Sequence, residues 1–369
     1  MFKSRPISRP SRRSLSALLL TGLLFNTAVF SAPSTSDWSS TLDAKLKNIE
    51  QSYPGNIGVY VKDLQTGQSY SFKAEEHWYL ASMVKVPVAI AVMRAVERGE
   101  LALDQRLPLL SSDYVDGAGQ TNWHGPGERL TVDWLISQML INSDNTATDV
   151  LIRQIGLDAV NHVVAELAPG NIETITRLAD VRRHVYSHYH RAAFELVGRQ
   201  FLTLRQQSTE TERRQTLARL LKVPAQEIAQ ISYHQAFDRY YSEGLNSGAL
   251  TAYGLLLERF FRGEALQAES TQYLLSTMGK VATGRKRLRN GLPKGVALAH
   301  KTGTQYGRFC DAGIAQTGEG DIRHSVIIAT CTRGDMSMAR SEKAISDVGR
   351  AIGMSGVLSA PITVGEASR

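Results

Sequence analysis

The chain has 369 residues, 42 Lys and Arg against 35 Asp and Glu, and a formal net charge of +7, with 43% hydrophobic residues and two cysteines. Lys3, Arg5, Arg9, Arg12 and Arg13 all lie in residues 1 to 31, which hold no acidic residue, so their removal lowers the charge from +7 to +2. A persistent basic face is therefore not expected, which excludes a nucleic-acid binder, and the rest is long enough for a large core in one domain or two interleaved ones.

Those cations precede the apolar run Leu15 to Phe30, too short for a comfortable membrane span. Residues 1–31 read as a secretory signal cleaved after Ser31, with Val29 two positions earlier. Arg12-Arg13 leaves general and twin-arginine export both open. No cysteine lies near the cleavage site, so no lipid anchor is expected. The protein is expected to be periplasmic or secreted.

In the mature chain, Leu42, Leu46 and Ile49 fall at helical spacing within Leu42 to Tyr53. Strands follow at Asn56 to Leu64 and Ser69 to Lys73. An amphipathic helix opens at Ser82 and runs to Glu100, and the chain stays helical beyond Ser143. Strands return at Val296 to Thr304, Arg308 to Gln316 and Arg323 to Thr332, and a helix over Ser341 to Ile352 ends the pattern. Residues 358–369 lack periodicity and read as a loose tail. Strands at both sequence ends with helices between predict an α+β fold: an antiparallel sheet flanked by N- and C-terminal helices, plus an inserted all-α lobe.

Cys310 and Cys331 sit on the last two strands, joined by Thr-Gly-Glu-Gly-Asp, a hairpin turn signal. With the turn centred between Gly320 and Asp321, they face each other. Two readings stay open, a disulfide in an oxidising compartment and a pair of buried thiols.

Three short motifs carry the chemistry. Ser82-Met-Val-Lys85 places a hydroxyl and an amine one helical turn apart on one face, the pattern of an activated nucleophile. Desolvation or a neighbouring cation lets a lysine accept the hydroxyl proton, and Lys301 would be such a cation. Ser143-Asp144-Asn145 would supply a proton carrier in Ser143 and a holder of a substrate amide in Asn145. Lys301-Thr302-Gly303 would bind a carboxylate through Lys301 and Thr302. Gly303 and Thr304 would let the strand approach substrate closely, with the N–H groups of Ser82 and Thr304 as an oxyanion hole.

In this order the motifs resemble those of class A β-lactamases and penicillin-binding serine hydrolases. Asn56 to Gly67 is similar to the family's first hairpin, Glu97 to Asp104 to the segment after its nucleophile helix, and Leu130 to Leu135 and Asn145 to Ile152 to the helices beside the second motif. The resemblance covers most of residues 41 to 355 and implies a β-lactamase/transpeptidase-like domain over residues 32–357. His300-Lys301-Thr302-Gly303-Thr304 is closer to the penicillin-binding form of the third motif. Tyr114 and Trp123 lie where relatives carry an aromatic gatepost.

The resemblance breaks after Thr176-Arg-Leu178. Where β-lactamases carry the glutamate that positions the deacylating water, this chain has Arg182 or Arg183. A helical insertion then runs over about 182–241, and the family pattern resumes at Asn246. Within it, Phe194, Val197, Phe201 and Leu204 make an apolar stripe, Thr209 with Glu212 a capping box, and Pro224 a helix start. His184, His188 and His190, with no carboxylate cluster nearby in sequence, read as solvated rather than metal-ligating, as do Arg213, Arg214 and Arg219. No cofactor is expected.

The resemblance implies a serine hydrolase that opens the amide of a β-lactam through acyl-Ser82; the leader adds export, the arginine in place of the glutamate predicts slow deacylation because a guanidinium cannot take up a proton, and a monomer is expected. The alternatives are a D,D-peptidase acting on D-alanyl stem peptides and a non-catalytic module that binds cell-wall fragments. Asp180, Asp238 and Glu243 are the candidates to replace the absent base.

Overall fold

The computed structural model describes residues 37–318 and 323–359. The segment read as a secretory signal, the tip of the cysteine hairpin and the last ten positions lie outside them.

Helix α1 (Trp38–Ser52) is capped by Asp37 and buries Trp38, Leu42 and Leu46. Strands β1 (Asn56–Asp63) and β2 (Ser69–Phe72) form a hairpin whose turn needs Gly67, at φ +75° in the left-handed region. Strand β3 (Trp78–Tyr79) leads through a 3₁₀ turn, Ala81–Val84, into α2 (Lys85–Glu97). Strands β4 (Arg106–Pro108) and β5 (Arg129–Thr131) pair, and α3 (Val132–Ile141), α4 (Asn145–Ile155) and α5 (Leu157–Leu167) pack around α2. The insertion holds α6 (Leu178–Ser187), α7 (Arg199–Arg205), α8 (Glu210–Leu221) and α9 (Tyr233–Ser242). Then come β6 (Ser247–Gly248), paired with β3, and α10 (Leu250–Phe261), α11 (Ala268–Gly279) and the short α12 (Leu288–Gly291). Strands β7 (Ala297–Gln305), β8 (Arg308–Thr317) and β9 (His324–Arg333) precede the closing helix α13 (Met338–Ser355).

The main sheet is antiparallel in the order β2-β1-β9-β8-β7, so the first and last strands of the chain are neighbours. Its central strands are buried on both faces, and alternate residues feed different cores. Val59, Val61 and Ile328 join Leu42, Leu46, Val348 and Ile352 under the terminal helices, whereas Tyr60, Ile327 and Ala329 join α2 and α10 on the other side. The expected sheet between terminal helices and a helical region is therefore present. Cys310 pairs with Cys331 in register, and the two are disulfide-bonded.

The insertion has its own core, which includes Val185, Phe201, Leu204, Leu217 and Phe237 and reaches Tyr79, Ala81 and Val115 of the surrounding fold. Thr209 and Glu212 form the expected capping box, with hydrogen bonds of 3.1 and 3.0 Å. Four local expectations change. Helix α2 is not amphipathic: every residue from Lys85 to Met93 is buried, because helices surround it. The apolar stripe is split by Gly198, at φ +49°, which leaves Phe194 and Val197 48% exposed while Phe201 and Leu204 are buried. After Pro224 there is only a 3₁₀ turn, and the next helix waits for the Ser232–Gln235 capping box of α9. Leu358, assigned to the tail, is buried against the terminal-helix core.

Candidate active site

Ser82 lies on the 3₁₀ turn before α2, where residues i and i+3 eclipse, and this brings Lys85 Nζ to 3.2 Å from Ser82 Oγ. The turn is strained at Ala81, at φ +49°, and is held from three sides. Leu80 N donates to Asn246 O at 2.9 Å, Tyr253 Oη donates to Met83 O at 2.9 Å, and β7 presses against it at Gly303. A Cβ at Gly303 would stand 2.5 Å from Leu80 O, so glycine there is a condition of that contact. Ala81, Met83 and Val84 are buried, and Ser82 reaches the cleft.

Lys85 is fully buried. Its Nζ donates to Ser143 O at 2.6 Å and to Asn145 Oδ1 at 2.7 Å, and Ser143 Oγ is 3.3 Å away. Burial pushes its pKa down to about 7, against the pull of Asp144 and Asp149. Near neutrality a substantial fraction of Lys85 is therefore the free amine, a base within reach of the Ser82 hydroxyl.

Ser143 sits between α3 and α4 in the left-handed region, φ +62°. Asp144 caps α4 by accepting from Ala147 N at 2.9 Å, and also accepts from Thr121 N at 2.9 Å. The loop Asp116-Gly-Ala-Gly119 folds over this turn so closely that a Cβ at Gly119 would meet Asp144 Oδ2 at 2.0 Å. Both polar atoms of the Asn145 side-chain amide are engaged, Oδ1 by Lys85 and Nδ2 by Asp116 O at 2.7 Å. Asn145 also lines the cleft, and its Nδ2 carries a second hydrogen beyond the one given to Asp116 O.

Lys301 is fully buried behind Ser143, with Nζ 3.0 Å from Ser143 Oγ and 3.0 Å from Thr302 O. Burial, and then the charge of Lys85, hold its pKa well below the usual lysine range. Thr302 and Thr304 line the cleft and Lys301 does not. Beside them stands Arg287, which the sequence reading missed: its guanidinium donates to Gly303 O, Cys310 O and Thr304 Oγ1 at 2.7 to 2.9 Å. It sits in the basic stretch Arg285-Lys-Arg-Leu-Arg289, where nothing local separates it from its neighbours.

Where a deacylating carboxylate was sought, Arg182 lines the cleft, with Nε donating to Asp116 Oδ1 at 2.6 Å. Arg183 turns away to Asp180 and Leu196 O. The three candidate replacement bases are all occupied outside the cleft lining: Asp180 by Arg183 at 2.5 Å, Asp238 by His234 at 3.3 Å, and Glu243 by His184 and His188 at 2.6 and 2.9 Å. The carboxylates that do line it are Asp116 and Glu342. The glycines after Asp116 were the available signal for a loop packed against the second motif. Tyr114 is buried, with its hydroxyl on His124 O, and Trp123 is 79% exposed, so neither forms a gatepost to this cleft. The whole cleft measures about 540 Å³, the size of a small-molecule site.

A sheet between terminal helices with a hydroxyl–amine–hydroxyl cluster at its edge defines an active-site-serine fold. The chain belongs to the β-lactamase enzyme family, which it matches over residues 41–354. It is 29% identical over 158 residues to a β-lactamase of Streptomyces fradiae, covering 41% of this chain and 51% of that one. A β-lactamase of Streptomyces albus G is 25% identical over 362 residues, covering 94% and 97%. Several of the alignments with curated relatives thus span about half or less of their length. Among solved structures, a PBP-A variant in an acyl-enzyme complex with penicillin G superposes with a TM-score of 0.62 at 20% identity, covering 85% of this chain and 96% of that one.

Proposed function

We propose that the protein is an exported serine hydrolase that opens the amide of β-lactams through an acyl-Ser82 intermediate and releases the acyl group slowly. The observation that carries this reading is the placement of Lys85 Nζ between Ser82 Oγ and Ser143 Oγ, with a pKa near neutrality. Neutral Lys85 takes the Ser82 proton as Oγ attacks the carbonyl carbon. The N–H groups of Ser82 and Thr304 receive the developing oxyanion. As the C–N bond breaks, the proton passes from Lys85 through Ser143 to the departing nitrogen. Thr302, Thr304 and Arg287 receive the substrate carboxylate, with Lys301 hydrogen-bonded to Ser143 from behind.

Deacylation needs a base to activate water, worth about 10² to 10⁴ in rate. Arg182 occupies that side of the cleft, and a guanidinium donates hydrogen bonds but accepts no proton. The same observation favours a second reading, a D,D-peptidase on stem peptides, in which the β-lactam acts as a long-lived acylating analogue. PBP-A, similar in fold, has been captured as a penicillin G acyl-enzyme in a variant with leucine replaced by glutamate.

The test is intact-mass spectrometry of the mature protein with benzylpenicillin over time. A rapid one-equivalent adduct on Ser82, persisting while bulk hydrolysis stays slow, is expected. Ser82→Ala should fold and take no label. Turnover at hundreds per second without an adduct would overturn slow deacylation, and labelling of Ser82→Ala would remove Ser82 from its role. For export, protein made with its own leader should begin near Ala32 in the periplasm or medium, and an uncleaved cytoplasmic form would contradict it.

A further inference from the structure

The cleft at Ser82 does not end at Arg182. It adjoins a second chamber of about 360 Å³ that the insertion builds, and Asp116, Arg182, Arg205 and Gln305 line both. The direction of this chamber follows from β7. Along that strand the carboxylate-facing groups Thr302 and Thr304 come first, then Gln305, and Tyr306 just beyond the strand enters the chamber wall. A substrate whose leaving group lies at Thr302 and Arg287 therefore sends its acyl arm toward Gln305, Tyr306 and the chamber.

The charges there do not balance. Arg182 is paired with Asp116 at 2.6 Å, and Arg213 with Glu210 at 3.4 Å while stacking over Tyr233. Arg205, at the end of α7, is exposed, lines both cavities, and has no ion pair or side-chain hydrogen bond among the described residues. Tyr186 and Tyr233, with rings 5.8 Å apart, supply an apolar wall beside it. The mouth of the chamber thus holds one uncompensated guanidinium, and the same chamber has an aromatic wall, an arrangement suited to an aliphatic arm that ends in a carboxylate.

We propose that the insertion adds an anion subsite to the catalytic cleft, in which Arg205 binds a carboxylate on the acyl side of the substrate. This rests on the acyl-Ser82 reading, and it narrows the substrate class to acyl donors with an acidic arm.

Two penicillins that differ in one charge test it: a 6-adipoylamino penicillin with a free terminal carboxylate, and its terminal carboxamide. The rate of acyl-Ser82 formation is measured by intact mass on the mature protein, with benzylpenicillin as reference. The carboxylate arm should acylate wild type about five- to tenfold faster than the amide, consistent with one charge-assisted hydrogen bond, and the ratio should shrink at high salt. Arg205→Ala should bring the ratio to about one, and Arg205→Glu should invert it. A ratio near one in wild type, with adducts forming from all three compounds, overturns the subsite and leaves the acyl-enzyme reading standing. An unchanged preference in Arg205→Glu also overturns it. No adduct from any of the three overturns both.

Discussion

Lys85 has to be buried to be a base and polar-bonded to be tolerated, and its surroundings do both. Because burial lowers its pKa to about 7, acylation of Ser82 by benzylpenicillin should be slow at pH 5, rise through about pH 7 as the amine deprotonates, and level off above. Lys85→Ala should lower the rate by about 10² to 10⁴ and abolish that inflection. Lys85→Arg should be no better, since a guanidinium stays protonated. A wild-type profile flat from pH 5 to 9 would count against Lys85 as the base. Ser82, Lys85 and Ser143 were legible because their relation is one of order and short spacing along the chain. Arg287 was not: it meets Thr304 at 2.7 Å through a fold that brings the segment before α12 back across β7.

Two contacts between elements position these groups. Strand β7 touches the Ser82 turn at Gly303, so Gly303→Val should drive strand and turn apart. A misplacement of about 1 Å costs on the order of 10² in rate, and the acylation rate of the folded variant should fall at least that far. Unchanged acylation would mean that the approach does not matter. Asp149 of α4 anchors the start of α6, accepting from Leu178 N at 2.7 Å and Ala179 N at 2.9 Å, and so fixes where Arg182 enters the cleft. Asp149→Ala leaves two buried donors without that acceptor and should cost about 2 kcal/mol in urea unfolding. Burial raises the Asp149 pKa to about 6, above its unfolded value of 3.8. Between those pH values the folded state binds more protons, so this group's contribution to stability falls as pH rises from about 4 to 6. Asp149→Asn should lose that slope, so the difference in stability between the two proteins should change with pH from about 4 to 6, and parallel profiles would reject the assignment. The helix positions here followed from periodicity, but the anchoring carboxylate did not, because its partners are 29 and 30 residues away.

Across the whole molecule, the Cys310–Cys331 bridge ties β8 to β9, and Cys310 O accepts a hydrogen bond from Arg287. A bridge with a sequence separation of 21 restricts the unfolded chain by about 3 kcal/mol. Reduction, or replacement of both cysteines by alanine, should lower unfolding stability by roughly that amount in denaturant titration, and no change would show that the bridge adds nothing. The alternation of apolar residues, the turn signal and the motif order are local properties of the chain, and they determined by themselves the sheet between terminal helices, the facing positions of Cys310 and Cys331 and the nucleophile candidate. Only the tertiary structure decided which arginine faces the cleft, that Lys301 lies buried behind Ser143, that Asn145 is held by Lys85 and Asp116, and that Asp180, Asp238 and Glu243 are bound elsewhere. The reason is that burial and ion pairing depend on elements far apart in sequence, and these fix both the pKa of a side chain and the partner that claims it.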